Sequence, residues 1–190
     1  MPTGVLAIQG DFSRHAGAFA RLGEPTCEVR TAEDLAAVDR LVIPGGESTT
    51  VALLLQRYGL GEAIRTRAEA GMPVWGTCMG MILLARAIEA RPEQWTLSLL
   101  DITVRRNAFG AQVHSFESEV PFHGLDRPVM GVFIRAPIVT EVGPGVQVLS
   151  SLNGQIVAVQ QGQRLGTSFH PELTEETALH AYFLTLELPR

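Results

Sequence analysis

The chain has 190 residues, 46% of them hydrophobic and 18% charged, with a net charge of −5 at pH 7. That balance suits one globular domain over residues 1–190 with a substantial core, and it excludes a disordered chain. It also argues against nucleic acid as a partner, since no basic cluster is present, and against a membrane span or a secretory signal, since no apolar run is long enough.

Residues 4–8 read as a strand, 12–22 as a helix, 26–29 as a strand and 32–38 as a short helix. A strand over 40–43 then leads into helices over 49–58 and 61–70. Residues 73–76 form a further strand, and 79–87 a helix that follows it at once. Alternation of this kind implies a parallel sheet covered on both faces. After residue 100 the pattern changes to valine-rich segments punctuated by glycine and proline, over 100–105, 129–134, 146–149, 156–161 and 164–168. These read as antiparallel strands and hairpins, with Asn153-Gly154 as a turn. A last helix is expected from Thr174, capped by that residue with Glu175 and Glu176 in its first turn.

The junction Val74-Trp75-Gly76-Thr77-Cys78-Met79-Gly80 carries the strongest chemical signal. A strand, a sharp turn and a helix make a nucleophile elbow, with cysteine where hydrolases place serine. Gly76 and Gly80 are the residues such a turn needs, because strand and helix backbones approach closely there. The start of a helix also favours the thiolate form of Cys78, which is the attacking form.

A nucleophile needs a base, and the base an orienting group. Phe169-His170-Pro171-Glu172 supplies both types. Pro171 biases His170 toward extended backbone, and in an extended segment residues two apart share a side. His170 and Glu172 are therefore expected to face one site. Ile43-Pro44-Gly45-Gly46-Glu47-Ser48-Thr49 is a strand running into paired glycines and a helix start capped by Ser48 or Thr49. Its bare N–H groups suit an oxyanion hole with the Met79 N–H as second donor, though an ordinary glycine-rich turn fits the same residues. No Lys follows in the pattern of a phosphate loop. Cys27, in a strand, reads as structural. Two cysteines make a disulfide framework improbable, and a thiolate nucleophile argues for a reducing compartment, the cytoplasm. His15, His114, His123 and His180 show no partner pattern. No cluster has metal-ligand spacing, so neither a metal nor another cofactor is expected.

In this order the three segments resemble the class I glutamine amidotransferases. Gly4-Val5-Leu6-Ala7-Ile8-Gln9-Gly10, Arg106-Asn107-Ala108-Phe109-Gly110, Ser115-Phe116-Glu117 and Val132-Phe133-Ile134-Arg135-Ala136-Pro137 narrow the resemblance to the glutaminase subunits of pyridoxal 5′-phosphate (vitamin B6) synthases. It extends over almost the whole chain. One departure is Ala111, where the family usually carries a basic residue before Gln112. The resemblance implies an α/β fold of the flavodoxin-like, class I glutamine amidotransferase type: a three-layer sandwich with a mostly parallel central sheet and added antiparallel strands in the second half. It implies a Cys78, His170, Glu172 triad hydrolysing L-glutamine, with Gly46, Glu47, Ser48, Arg106, Ile134 and Arg135 holding the substrate. From the residues alone, Arg106 and Arg135 read more readily as solvated surface side chains. The implied partner is a synthase subunit that takes the ammonia, in an assembly of twelve glutaminase subunits on a dodecameric synthase core. The alternatives are a cysteine peptidase or deglycase of similar fold and an inactive subunit on the same scaffold. The motifs at 106–110 and 132–137 speak against the first, and the complete triad against the second.

Overall fold

The computed structural model describes residues 1–108 and 115–188. Its elements run β1 (Thr3–Leu6), α1 (Phe12–Arg21), β2 (Thr26–Val29), α2 (Ala32–Ala36), β3 (Arg40–Ile43), α3 (Ser48–Arg57), α4 (Leu60–Glu69), β4 (Val74–Thr77), α5 (Met79–Leu84), β5 (Ala85–Ile88) and β6 (Leu100–Arg105). They continue with β7 (Phe116–Val120), β8 (Val129–Phe133), β9 (Ile138–Val142), β10 (Gln147–Leu152), β11 (Gln155–Gln161), β12 (Arg164–Thr167), a 3-10 turn (Pro171–Leu173) and α6 (Ala178–Leu184).

Among the described residues ten strands form one sheet, nine in the order β2-β1-β3-β4-β12-β11-β9-β6-β5 and β10 paired on β11; β7 and β8 make a separate ribbon. The half from β2 to β12 is parallel. Beyond β12 the pairs β12–β11, β11–β9 and β9–β6 are antiparallel. Two apolar layers follow from the strand period of two residues. Leu41, Ile43 and Val74 join an aliphatic cluster with residues of α2 to α5, while Val42 and Trp75 join an aromatic one with Phe19 of α1 and Phe183 of α6. The expected α/β sandwich is thus present, with helices on both faces.

Several local expectations change. The elbow helix ends at Leu84, and residues 85–88 are β5, parallel to β6. A short apolar run fits a buried helix or a buried strand equally, and here the open edge of β6 decides. α3 is capped by the Glu47 carboxylate, which accepts from the Thr49 N–H at 3.2 Å, and not by Ser48 or Thr49. The last helix starts at Ala178. Thr174 instead closes the 3-10 turn, donating its hydroxyl to Pro171 O at 3.0 Å and accepting from the Glu176 N–H at 3.2 Å. β7 and β9 had no counterpart among the expected strands. Asn153 and Gly154, both at positive φ, make the β10–β11 turn as expected.

Candidate active site

β3, β4 and β12 are adjacent and parallel, with Ile43 beside Gly76 and Thr77 beside Thr167. Their carboxyl ends therefore release the Gly45-Gly46 loop, Cys78 and His170 at one edge of the sheet, where open α/β sheets bind ligands. The three sequence motifs converge because backbone ladders bring three strand ends together.

Cys78 sits at φ 51°, ψ −105°, a strained conformation for a residue with a Cβ. Its N–H donates to Thr167 O at 2.7 Å, and its carbonyl accepts from the Met81 N–H at 3.1 Å, so both neighbours hold the turn. The two glycines are required sterically. A Cβ on Gly76 would lie 2.3 Å from the Gly80 carbonyl carbon, and one on Gly80 would lie 2.0 Å from Ile43 O. The thiol is nearly buried at 8% exposure, with Sγ 3.9 Å from the Ile134 carbonyl.

His170 is fixed by its N–H donating to Val132 O at 2.8 Å. Its ring lies against the Gly45 backbone: a Cβ on Gly45 would come 2.4 Å from His170 Cε1, so Gly45 must be glycine. Nδ1 stands 2.7 Å from Glu172 Oε1, and since an ionised carboxylate only accepts, Nδ1 carries the proton. The expected pairing is present by a different geometry, because Glu172 lies in the 3-10 turn and not in extended backbone. Burial alone would lower the His170 pKa, but hydrogen bonding and charge from Cys78 and Glu172 outweigh it and raise the pKa to about 10. Burial disfavours the Glu172 carboxylate, yet His15 and His170 beside it hold its pKa below the usual value.

Two histidines that the sequence left unpartnered complete this cluster. His15 Nε2 is 3.3 Å from Glu172 Oε2 and 3.3 Å from Thr77 Oγ1, and its Nδ1 is 3.0 Å from His180 Nε2. Both are fully buried, and burial lowers the pKa of each, that of His180 to about 3. A sequence signal existed: His15 shares the buried stripe of α1 with Ala18 and Phe19, and His180 that of α6 with Leu179 and Phe183.

A cavity of about 380 Å³ opens over Cys78. All six residues expected to hold glutamine line it: Gly46, Glu47, Ser48, Arg106, Ile134 and Arg135. Gln9, Ile82 and Asn107 line it too and were missed. Arg106 donates to Glu47 Oε1 at 2.8 Å and to Gln94 Oε1 at 3.3 Å, while Gln94 donates to Ser48 Oγ at 3.0 Å. Partial burial works against the Glu47 carboxylate, but bonds from Thr49 and Arg106 keep its pKa low. Arg135, at φ 45°, has no ion-pair partner among the described residues. The Glu47 N–H donates to Gln9 Oε1 at 2.8 Å. The Gly45 carbonyl faces Gly10, where a Cβ would lie 1.8 Å from its oxygen, so the Gly46 N–H across the trans peptide points the other way. Phe109, Gly110, Ala111, Gln112 and His114 lie outside the described residues. A larger depression of about 770 Å³ near Asp126 and Glu175 is lined by neither Cys nor His.

A family model described as the SNO glutamine amidotransferase family matches residues 5–187. A relative from Niallia circulans, described as pyridoxal 5′-phosphate synthase subunit PdxT, is 52% identical over 186 residues, covering 98% of this chain and 97% of the relative. A protein of the same description from Acidothermus cellulolyticus is 54% identical over 190 residues, covering 96% and 92%. A solved structure described as a glutamine amidotransferase superposes with a TM-score of 0.94 at 49% identity, covering 98% of each chain.

Proposed function

The chain belongs to the SNO glutamine amidotransferase family, and we propose that it hydrolyses L-glutamine to L-glutamate and hands the ammonia to the synthase subunit of a pyridoxal 5′-phosphate synthase. Cys78 attacks the side-chain amide carbon as thiolate. The tetrahedral oxyanion accepts from the backbone N–H groups of Gly46 and Met79. The His170 imidazolium protonates the departing nitrogen, which leaves as ammonia from a thioester on Cys78. The now neutral His170 takes a proton from water, the hydroxide adds to the thioester, and collapse returns glutamate and free Cys78. Glu172 orients the ring and stabilises its charged form.

The observation that carries this reading is the juxtaposition, on one cavity, of a strained cysteine elbow, a histidine–carboxylate pair and a lining that holds the Glu47 carboxylate and the guanidinium groups of Arg106 and Arg135. Glu47 suits the substrate ammonium and Arg135 its carboxylate, with Arg106 steadying Glu47. Gly46, Ser48 and Ile134 line the space between. No helix among the described residues is long and apolar enough to cross a membrane. A cysteine nucleophile fits a reducing compartment, so the reading places the enzyme in the cytoplasm. The assembly it invokes is the one implied by the resemblance, twelve glutaminase subunits on a dodecameric synthase core.

The test is ammonia release from glutamine with and without the synthase subunit. Cys78→Ala should reduce turnover to background without unfolding the chain, and Cys27→Ala should retain most of it. A thiol-alkylating glutamine analogue should label Cys78. Labelling of Cys27 instead would end this reading. The synthase should raise kcat, since glycine peptides at Gly45-Gly46 can flip at low steric cost and one lost oxyanion donor costs on the order of a hundredfold. Equal rates for the free and partnered subunit would remove that coupling.

A further inference from the structure

Glu172 has two oxygens in a buried place, and the mechanism uses one. Oε1 faces His170, while Oε2 belongs to a side chain with no exposed surface and has no well-aligned hydrogen-bond partner. His15 Nε2, on α1, lies 3.3 Å from it. A buried carboxylate oxygen without a donor is costly, and a carboxylate free to turn would no longer hold the imidazole in one orientation.

We infer that His15, with its proton position set by His180, is a positioning residue for the triad: it holds the second oxygen of Glu172 so that the first stays on His170. With Glu172 ionised, the proton positions follow one from another. An ionised Glu172 only accepts, so His15 Nε2 carries hydrogen, shared with Thr77 Oγ1 at 3.3 Å. A neutral His15 then has a bare Nδ1, which accepts from His180 Nε2–H at 3.0 Å. His180 Nδ1 is left as a bare acceptor, and it is one of the buried atoms with no hydrogen-bond partner. At His180 the chain ends against Phe19 and Trp75 in the core, so it meets solvent only through the triad itself and orients rather than relays protons. Further charges act on it from Asp11, just before α1, on His15, from Arg21 of α1 on His180, and from the triad through His170.

This inference rests on the triad reading, and the experiment separates the two. Glutaminase kinetics are measured with the synthase subunit present for wild type, Cys78→Ala, His15→Met and His15→Gln. Methionine fills the space without a donor, and glutamine keeps an N–H near the Nε2 position. His15→Met should lower kcat about tenfold with KM unchanged, and should move the acid limb of kcat/KM up by about one pH unit, as Glu172 becomes easier to protonate. His15→Gln should restore both. Wild-type kcat and acid limb in His15→Met would overturn the proposal. So would equal losses in both variants with the limb unmoved, which is the signature of a merely structural histidine. If His15→Met does not fold, His180→Phe should shift the limb the same way by less, and an unmoved limb there overturns the proposal as well. An active Cys78→Ala would instead refute the triad itself.

Discussion

The two faces of the sheet carry different chemistry. Beneath α2 to α5 the core is aliphatic, built from Leu6, Leu41, Ile43, Leu55, Val74 and Leu83. Beneath α1 and α6 it is aromatic, with Phe19, Trp75 and Phe183, and it takes in His15 and His180, which lead to Glu172 and His170. The first face gains stability from burial that protons do not alter. The second buries ionisable groups to support a site, and its stability must follow pH. Strength and function are thus divided between the two sides of one set of strands.

The largest effect should come from the functional face. His170→Asn is expected to lower kcat on the order of 10⁴-fold and also to lower stability at neutral pH, since it leaves the buried Glu172 carboxylate without its partner, and Glu172→Gln should cost less in kcat, because the carboxylate only orients and stabilises the ring. A His170→Asn enzyme of near-normal turnover would break the division at once. On the aliphatic face the converse is expected. Leu41→Ala, at a fully buried position of β3, should destabilise by about 2–5 kcal/mol in urea melts at any pH between 5 and 8, with KM unchanged. A strongly pH-dependent loss would mean that the two faces are coupled.

Acid titration sharpens the contrast further. His180 has its pKa depressed to about 3 and that of His15 is also lowered, so from pH 6.5 downward the unfolded chain binds protons that the native chain refuses. Stability should therefore fall as pH drops below 6.5, by about 1.4 kcal/mol per pH unit for each histidine that stays neutral. Glu172, with a lowered pKa, adds a loss below about 4.5. His170 works in the other direction: its contribution is full below 6.5 and disappears as pH rises through about 10. His180→Phe should flatten the acid slope in chemical denaturation, and an unchanged slope would show that His180 is not buried neutral. The smallest effect on the fold is expected outside both faces. Arg135→Ala should raise the glutamine KM about tenfold with kcat and stability nearly unchanged. A fall in kcat alone would remove Arg135 from substrate binding.

Much of this arrangement was legible in the sequence where the determining contacts are local. Gly76 and Gly80 announce the elbow because each sits against backbone a few residues or one strand away. The spacing of His170 and Glu172 was readable too, although the turn that joins them is 3-10 rather than extended. β5 was hidden because residues 79–88 read as one largely apolar helical stretch, broken only by Arg86, whose second half turns into strand only through pairing with β6. His15 and His180 were illegible as a pair: 165 residues separate them, and each looks like a core position of an amphipathic helix. Glu47 showed that a carboxylate expected to meet substrate also caps a helix, two roles that one letter does not distinguish.

The parallel register of β3, β4 and β12 acts as a ruler. Adjacent strands stand about 4.8 Å apart, so the loop bearing Gly46, the cysteine and the histidine leave the sheet at steps comparable to the size of an amide group. Covalent continuity contributes nothing to that spacing. A one-residue slip of β12 against β4 would break that spacing and turn the side chains of β12 to the opposite face.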